Sequence, residues 1–373
     1  MAKVISIGKQ SFSALREQDY FFVDKTNLIK EWWEKGDDIT LIARPRRFGK
    51  TLNMSMLECF FSNKYANRAD LFEGLSIWEE EKYRNLQGTY PVIFLSFASV
   101  KAGNPEDAKT QIKQEIVRLY EENRYLLQKD ILSDNERKIY DGTTVTMGDA
   151  AAQNALKNMS AWMERYYGRK TIILLDEYDT PMQEAYVQGY WDEFTTFIRS
   201  LFNATFKTNP YLERAVMTGI TRVSKESIFS DLNNLEVVTT TSEPYSDCFG
   251  FTETEVFTSL DEFGMSDKKD EVKQWYDGFT FGKHHDIYNP WSIINYMRQG
   301  QLISYWTNTS SNKLIGDIIR RHPVHSKHEI EQLMEGKKVH KSINEDVTFQ
   351  YLDGDENSLW SLLLAVGYIK AEN

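Results

Sequence analysis

The chain has 373 residues, which exceeds one small core and predicts one large structured unit plus a smaller one. Its composition, 41% hydrophobic and 27% charged, is ordinary for a folded protein and excludes disorder over most of the chain. The formal net charge of −11 would repel a phosphate backbone, so sequence-independent binding of nucleic acid through the overall field is disfavoured.

Cysteine usage and hydropathy bear on the compartment. Cys59 and Cys248 lie far apart in the sequence and suggest no disulfide framework, which fits a reducing environment. The start of the chain lacks an apolar core of signal-peptide length, and no run approaches the roughly 18 apolar residues that a spanning helix needs. We therefore predict a cytoplasmic location and no membrane partner.

Short apolar segments bounded by turn or polar residues predict five buried strands that alternate with helix-length stretches. The predicted strands are Ile39–Ala43, Val92–Phe97, Thr171–Leu175, Ala215–Thr218 and Val237–Thr240. Because these runs lack polar alternation, they favour a parallel sheet that is covered on both faces. With helical spacing between them, as in Leu52, Met56 and Phe60, they predict a three-layer α/β domain over residues 1–245.

The composition changes after residue 245 toward polar and aromatic residues with short apolar periods. This change predicts a small, mostly helical second domain over residues 246–335. The remaining stretch, residues 336–373, begins with a loop-like composition and is predicted to be a linker or the start of a further domain.

The segment after the first predicted strand, residues 44–51, carries a phosphate-binding pattern. Gly49, Lys50 and Thr51 stand where a strand gives way to a helix. In a P-loop, backbone N–H groups and the helix N-terminus surround phosphates, the lysine reaches the β and γ oxygens, and the threonine binds Mg²⁺. The residues predicted to contact the nucleotide here are Arg46, Arg47, Phe48, Gly49, Lys50, Thr51 and Leu52. Alternatively, the segment is a basic turn that precedes a helix.

Arg44 stands where the P-loop pattern has its first glycine, so the loop is expected to differ in shape from the standard one. Arg44, Arg46 and Arg47 crowd this loop, and guanidinium groups suit phosphate oxygens. We predict that at least one of the three contacts phosphate, and Arg44 is included among the nucleotide-binding candidates. The others would pair with acids or face a partner.

The third predicted strand ends in two acids, Asp176 and Glu177. An acid at the carboxyl end of a strand that neighbours the P-loop strand can hold Mg²⁺ directly or through water, and Asp176 is predicted to do so. Glu177 is predicted to act as a catalytic base or to orient the water that attacks the γ-phosphate. Alternatively, both acids end the strand and face solvent.

The fourth predicted strand ends at Thr218 and is followed by Arg222. In P-loop folds of this kind the strand between the two motif strands ends near the γ-phosphate. Thr218 is therefore a candidate sensor of that phosphate, and Arg222 a candidate catalytic residue that stabilises charge in the transition state. The alternative for Arg222 is a solvated surface arginine.

Other patterns carry weaker signals. His322, His325 and His328 recur every three residues, but no cysteine or carboxylate shell accompanies them, so a surface cluster is predicted rather than a metal site. The aromatic segments 275–279 and 289–291 stand beside glycine or proline and are interpreted as packed turns.

A basic stretch in the second domain is a candidate surface for nucleic acid or another partner. Its members are Lys313, Arg320, Arg321, Lys327, Lys337 and Lys338. Alternatively, these residues form a solvated face.

Taken in order, these motifs resemble the bacterial AAA-ATPase-like proteins that usually precede a PD-(D/E)XK nuclease-like domain. Residues 11–12, 22–26, 44–51, 175–179, 218–220 and 249–252 carry the resemblance, which covers nearly the whole chain. It implies an additional-strand P-loop NTPase with five core strands, related to AAA+ and signal-transduction (STAND) ATPases, followed by a small helical lid or winged-helix-like unit.

The resemblance also bears on individual residues. Arginine is common in that family at the first P-loop glycine, as at Arg44, and Lys50, Thr51, Asp176 and Glu177 receive the roles given above. Asp24 and its neighbours resemble the family's N-terminal motif, for which a contact with the base is a hypothesis. Relatives typically continue past a segment like Leu362–Ile369 into the nuclease-like domain, whereas this sequence stops at Asn373. No nuclease activity is therefore expected from it.

Two functions follow as hypotheses. The first is a switch or motor that binds ATP and Mg²⁺ and hydrolyses ATP. The second is a nucleotide-stabilised scaffold with little turnover, in a defence or mobile-element system. The sequence predicts neither the partner nor the oligomeric state.

Overall fold

The structure is a computed structural model of the chain. It describes residues 3–128, 130–221, 228–229, 232–306, 313–321, 324–343 and 356–371. In this part of the chain no helix is both long enough and apolar enough to cross a membrane.

A parallel sheet forms the centre of the molecule. Within the described residues it has five strands: β1 (Ile39–Ala43), β2 (Val92–Ser96), β3 (Thr171–Asp176), β4 (Leu212–Gly219) and β5 (Leu235–Val238). Their order across the sheet is β2-β3-β4-β1-β5, and every neighbouring pair is parallel. The predicted parallel sheet is thus confirmed, with strand ends that differ from the predicted ones by up to three residues.

The side chains of the strands alternate between two hydrophobic cores, which explains their unbroken apolar sequences. In β3, Ile173 and Leu175 pack into one core, whereas Ile172 and Leu174 pack into the other. A strand buried on both faces needs apolar residues at every position, since both sides exclude water. The sheet is therefore the middle layer of three.

Helices cover both faces of this sheet. Those in and before the sheet region are α1 (Phe12–Glu17), α2 (Asn27–Lys35), α3 (Lys50–Phe61), α4 (Glu81–Arg84), α5 (Pro105–Glu122), α6 (Asp134–Asp141), α7 (Asp149–Tyr167), α8 (Thr180–Gln188) and α9 (Trp191–Phe202). Helices α2 and α3 pack on one face through residues such as Trp32 and Phe60. Helices α5, α7 and α9 pack on the other through residues such as Ile112, Trp162 and Phe194.

Residues after 250 form helices and a small antiparallel sheet of order β6-β8-β7. Its elements are β6 (Phe251–Thr252), α10 (Glu253–Glu262), α11 (Lys269–Tyr276), β7 (Phe279–Phe281), β8 (His284–Tyr288) and α12 (Pro290–Gln299). Val256, Leu260, Tyr288 and Ile293 share a separate core here. The division into a second domain over residues 246–335 stays a prediction, and the sequence did not predict this sheet.

Three further helices follow in the described residues: α13 (Lys313–Arg321), α14 (Val324–Met334) and α15 (Glu356–Val366). The last lies in the stretch predicted as a linker or the start of a further domain. Its Leu359, Trp360, Leu362 and Leu363 are nearly inaccessible to solvent and belong to the core that covers the large sheet. Residues 356–366 are therefore part of that core rather than a linker.

Candidate nucleotide-binding site

The predicted phosphate loop connects β1 to α3 at the carboxyl edge of the sheet. Gly49 has φ +86° and Arg47 has φ +69°, so both adopt left-handed backbone, which is common for glycine and rare for arginine. Asn53 donates its N–H to the carbonyl of Gly49 at 2.9 Å. The amides of the preceding first turn of α3 are those that a helix cannot satisfy internally, and they suit an anion.

Lys50 is almost fully buried at the start of α3. Its Nζ donates to the carbonyl oxygens of Arg44 and Pro45, at 3.1 Å each. It also lies 4.0 Å from Oε1 of Glu177. The ammonium group is thus held inside the curve of the loop, the place that the P-loop pattern assigns to phosphate oxygens.

Asp176, at the end of β3, is hydrogen-bonded by two threonines from two other elements, α3 and β4. Thr51 Oγ1 donates to Asp176 Oδ2 at 2.8 Å, and Thr218 Oγ1 donates to Asp176 Oδ1 at 2.6 Å. The sheet order produces this meeting, because β4 lies between β1 and β3 and all three strands end at the same edge. Burial raises the pKa of the Asp176 carboxyl, and the hydrogen bond from Thr218 opposes that rise.

Glu177 follows Asp176 but has a different environment. Its φ of +53° is left-handed, which turns the chain sharply after β3. The side chain is 22% exposed and lines the cleft described below, whereas Asp176 is fully buried. Glu177 Oε2 accepts a hydrogen bond from Thr180 Oγ1 at 3.2 Å. Only the second of the two neighbouring acids can therefore meet a molecule in the cleft directly.

A cleft of about 630 Å³ opens in front of the loop. Its lining includes Glu177 and seven of the predicted loop contacts, namely Arg46, Arg47, Phe48, Gly49, Lys50, Thr51 and Leu52. Arg44, Asp176 and Thr218 are not among its lining residues. The lining also includes Ser6–Gln10, Phe21–Val23 and the start of α12. Phe22 and Val23 belong to the N-terminal motif noted in the sequence, whereas Ser6–Gln10 and the start of α12 were not assigned to the site. Together these segments give the cleft a mixed polar and apolar wall.

Arg44 makes contacts other than the predicted one with phosphate. Its guanidinium is fully buried and donates to the carbonyl oxygens of Thr239 at 2.5 Å and Tyr245 at 3.3 Å. It also lies 4.8 Å from the centre of the Phe281 ring. The physical reason for these contacts is that Arg44 directly follows β1, which pairs with β5, so its side chain reaches the backbone just after β5. The Arg44 guanidinium therefore fixes the start of the loop to the segment that follows β5.

The rest of the loop is held by residues from beyond 245. The carbonyl of Arg46 accepts hydrogen bonds from Asn289 at 3.4 Å and from the Trp306 indole at 3.2 Å. The Arg47 guanidinium lies 4.5 Å from the centre of the Trp291 ring. The aromatic segment 289–291, interpreted from sequence as a packed turn, thus contacts the phosphate loop.

Phe48 extends this contact. Its ring packs edge-on against Phe279 and Phe281, with centroids 4.7 Å and 5.3 Å away, and its carbonyl accepts the N–H of Gly250 at 3.2 Å. Gly250 has φ +80°, and a Cβ there would lie 3.0 Å from the Phe48 ring. The loop and the small antiparallel sheet therefore form one packed unit.

Asp24 and Lys25 have separate roles near the N-terminus. Asp24 accepts hydrogen bonds from Thr26 and from the N–H of Ser76, and it does not line the cleft. Lys25 does line it, and its Nζ is bound by the carbonyl of Asp247 and the carboxylate of Glu255. The hypothesis that Asp24 contacts a base therefore has no support in these contacts.

Several predicted residues lie away from the cleft or outside the described part of the chain. Arg222 and His322 lie outside the described residues. His325 and His328 are exposed and lie 3.3 Å from Glu329 and 3.6 Å from Glu331.

The basic stretch of α13, α14 and the segment that follows contains acids as well. Lys337 pairs with Glu335 at 2.7 Å, and Lys327 donates to the carbonyl of Arg320 at 3.2 Å. The ion pair with Glu335 offsets the charge of Lys337, whereas a neutral carbonyl leaves the charge of Lys327 unchanged, so a partner surface on this stretch stays a prediction.

Comparison with known proteins assigns the chain to a family. The model of the family described as predicted AAA-ATPase matches residues 6–229, which contain β1 to β4 and the whole phosphate loop. The chain belongs to this AAA-ATPase-like family. A relative, described as an uncharacterized protein in the vnfD 5′ region of Azotobacter chroococcum mcd 1, is 26% identical over 319 residues. These cover 85% of this AAA-ATPase-like chain but 56% of the relative, so the chain spans little more than half of that protein.

Proposed function

We propose that the protein binds ATP together with Mg²⁺ and hydrolyses it. The observation that carries the proposal is the meeting of Thr51, Thr218 and Asp176 at one edge of the sheet, with Lys50 and Glu177 beside them. A hydroxyl, a buried carboxylate, an ammonium group and a second carboxylate are the groups that phosphoryl transfer requires. Membership of a predicted AAA-ATPase family supports the same chemistry.

The donor set fits a magnesium ion. Thr51 offers a hydroxyl oxygen that faces the cleft, and Asp176 lies directly behind it at 2.8 Å. Mg²⁺ prefers oxygen donors and keeps several of its waters, so Thr51 would hold the ion and Asp176 would accept from its waters. When bound, the ion would neutralise charge on the β- and γ-phosphates.

Lys50 and the loop amides would hold the phosphates. Lys50 Nζ is satisfied by two carbonyl oxygens that are neutral, so phosphate oxygens would be stronger acceptors for the same ammonium group. The amides at the start of α3 add donors, and the helix N-terminus adds a favourable field. Binding therefore replaces neutral acceptors by charged ones.

Glu177 would act on the attacking water. Its carboxylate reaches the cleft, lies 4.0 Å from Lys50 and is oriented by Thr180. From this position it can accept a proton from the water. Thr218 would act as a sensor through its hydrogen bond to Asp176, beside the proposed Mg²⁺ position. Arg222 completes the proposal as a group that stabilises transition-state charge, on the sequence argument alone.

Hydrolysis would act as a switch through the contacts of the loop. Arg46, Arg47 and Phe48 each touch a residue from beyond 245: Trp306, Trp291 and Phe279. A loop that changes its contacts when phosphate enters or leaves must therefore change its packing on this region. This coupling is the physical basis for proposing a switch or motor.

The second candidate function is a scaffold that binds the nucleotide with little turnover. The observation that favours it is the buried Arg44 guanidinium, which fixes the base of the loop through carbonyl oxygens from the region after β5. A loop fixed in this way could bind a nucleotide without moving.

ATP affinity and phosphate release, measured on the same protein, test the proposal. We expect calorimetric ATP binding in Mg²⁺ and single-turnover release of phosphate that EDTA abolishes. Binding without release would favour the scaffold. Absence of ATP binding would overturn both functions.

A further inference from the structure

Asp179 is a buried carboxylate to which no role has yet been given. It is fully buried, and its Oδ2 accepts four hydrogen bonds: from the N–H groups of Ile220 and Thr221 at 3.0 Å and 2.9 Å, from Thr221 Oγ1 at 2.8 Å, and from Gln183 Nε2 at 2.9 Å. Its Oδ1 has no hydrogen-bond partner among the described residues. So many donors on one carboxylate oxygen show that the surrounding backbone is arranged around this group.

These bonds connect two segments of the site. Asp179 lies in the turn that begins at Glu177, directly after Asp176 ends β3, whereas Ile220 and Thr221 directly follow the end of β4 at Gly219. Tyr178 reinforces the link, because its N–H donates to the carbonyl of Thr218 at 3.0 Å and its hydroxyl donates to the carbonyl of Thr221 at 2.7 Å. The two turns are therefore bonded to each other at several points.

Gly219 shows how closely the two turns approach. A Cβ built at this position would lie 2.6 Å from Asp179 Oδ1 and 2.6 Å from the Tyr178 ring. Both distances are shorter than van der Waals contact allows, so only glycine permits this approach. The sequence Thr218-Gly219 thus serves the contact with Asp179 as well as the strand end.

Asp179 itself cannot meet the nucleotide or its attacking water. It has no accessible surface and does not line the cleft, in contrast to Glu177 two residues earlier. A general base must come within hydrogen-bond reach of the proton that it removes. Asp179 therefore affects chemistry only through the groups that it holds.

We propose that Asp179 is a positioning residue, whose carboxylate fixes the Glu177 turn against the Thr218 turn. The inference rests on the proposed function for its catalytic consequence, although the link itself is independent of hydrolysis. Glu177 has left-handed backbone, which neighbouring contacts must maintain. Releasing the turn would let Glu177 leave the position from which it acts on water.

The test compares Asp179→Ala with Asp179→Asn. The alanine variant removes the acceptor, and we expect single-turnover phosphate release to fall about 10²-fold while affinity for an ATP analogue changes less than about threefold, since misplacement affects the transition state more than binding. The asparagine variant keeps one acceptor oxygen and should recover much of the rate. The matched control is Ser160→Ala, which removes a buried hydroxyl bonded to Leu156 in α7, away from the cleft.

A second readout separates this inference from the proposed function. In the alanine variant without nucleotide, the amides of Ile220 and Thr221 should exchange with deuterium faster than in the wild type, and they should not do so in Ser160→Ala. If the wild type releases no phosphate, the proposed function fails. Exchange at these amides still tests whether Asp179 fixes the Glu177 turn against the Thr218 turn.

Four results would overturn the inference. The first is an unchanged rate of phosphate release by a folded Asp179→Ala variant, and the second is a loss of rate equal to that of Ser160→Ala at equal loss of stability. The third is unchanged exchange of the Ile220 and Thr221 amides in Asp179→Ala. The fourth is a pH–rate profile of Asp179→Asn that lacks one titrating limb of the wild-type profile, as replacement of a catalytic base would produce. If the alanine variant does not fold, Gly219→Ala tests the contact from the other side. Its Cβ would displace Asp179, and we expect a similar loss of release with ATP affinity retained.

Discussion

Asp176 and Glu177 are neighbours in sequence, yet the backbone gives them opposite surroundings. The left-handed turn at Glu177 leaves Asp176 buried between two threonines and turns Glu177 into the cleft. A buried carboxylate keeps its charge only when donors satisfy it, and Thr51 and Thr218 provide those donors. In the proposed mechanism, the division between a metal-side acid and a water-side acid would follow from this left-handed φ at Glu177.

Glu177→Gln is expected to retain ATP and Mg²⁺ but to release phosphate at a rate reduced by about 10²-fold or more, because the amide cannot accept the proton. Asp176→Asn should instead weaken Mg²⁺-dependent retention of nucleotide, because an amide can accept from only one of the two threonine hydroxyls. Both variants would be assayed for analogue affinity and single-turnover release at one Mg²⁺ concentration. Normal release by the glutamine variant would exclude Glu177 as the base.

Lys50→Ala is expected to abolish the stabilisation of the protein by ATP. A ligand at 100 times its Kd stabilises the native state by about 2.7 kcal/mol, and this contribution disappears when binding is lost. Thermal melting with and without ATP measures it. Lys64→Ala, which removes an exposed lysine just beyond α3, should keep the wild-type shift. An undiminished shift in Lys50→Ala would remove Lys50 from the site.

Arg44→Met is expected to lower the free energy of unfolding by about 2–3 kcal/mol, since buried carbonyl oxygens lose a charged donor. Urea unfolding measures the change, and Arg118→Met, on the exposed face of α5, should stay within about 0.5 kcal/mol of the wild type. If Arg44→Met kept the wild-type stability but lost ATP binding, the structural role of Arg44 would be contradicted and the predicted contact of Arg44 with phosphate would be supported.

The site residues differ in how far the sequence could predict them. Lys50, Thr51, Asp176 and Thr218 were predictable because each stands at the end of a recognisable strand or at the start of a helix. The partners of Arg44 were not, because Thr239 and Tyr245 are nearly 200 residues away and contribute only backbone carbonyls. Backbone acceptors carry no side-chain signature, so no sequence pattern marks them.

At the scale of elements, the strands of the large sheet were predictable because both faces are buried and each strand is a continuous apolar run. The strands β6, β7 and β8 were not, since they have two to five residues and β8 begins with the exposed His284 and His285. The start of β4 was also missed, because it contains Arg214. Its guanidinium lies 4.4 Å from the Trp33 ring, so the polar residue is covered by an aromatic one.

The β7–β8 hairpin brings together two acids, Asp277 and Asp286, and this arrangement predicts a pH dependence. Burial, followed by the hydrogen bond and charge of Asp286, raises the pKa of Asp277 from 3.8 to about 6, while Lys273 and Lys370 oppose the rise. The folded state therefore holds this proton more tightly than the unfolded state. Stability that is present below pH 3.8 is lost as the pH rises toward 6.

Asp277→Asn, which mimics the protonated carboxyl, is expected to be more stable than the wild type at pH 7. The difference should shrink steadily between pH 6 and pH 4. Urea unfolding of both proteins over this range measures it. A difference that is constant with pH, or that grows as the pH falls, would contradict the raised pKa.

At the scale of the whole molecule, the core of the large sheet extends to the end of the described chain. The four apolar side chains of α15 that enter this core each contribute about 1.5–3 kcal/mol by burial, a sum comparable with the total stability of a typical domain. Composition predicted a linker or the start of a further domain here, because the loop-like stretch before α15 gives no sign that the helix packs on the sheet.

Ending the chain at residue 335 is therefore expected to give a protein that is largely insoluble or lacks a cooperative melting transition. Leu363→Ala tests the same contact in the full chain, and it should cost about 2–5 kcal/mol of unfolding free energy. Met334→Ala, at a side chain that is 83% exposed, is the control and should change little. A well-folded product ending at residue 335 would show that α15 is dispensable.

The strand order also has a consequence for how the molecule is made. Among the described residues, strand β1 pairs with β4 and β5, and its first residue, Ile39, lies opposite Ala215 and Leu235. At about 5–20 residues per second, a ribosome needs roughly 10 s or more to reach those partners after it has made β1. Until then the phosphate loop is attached to an apolar strand that has not yet paired. Lys50 and Thr51 are made before Asp176 and Thr218, so the contacts among these residues cannot form earlier. A nascent chain therefore gains its nucleotide site late in synthesis, and β1 is a segment for a chaperone to shield before that.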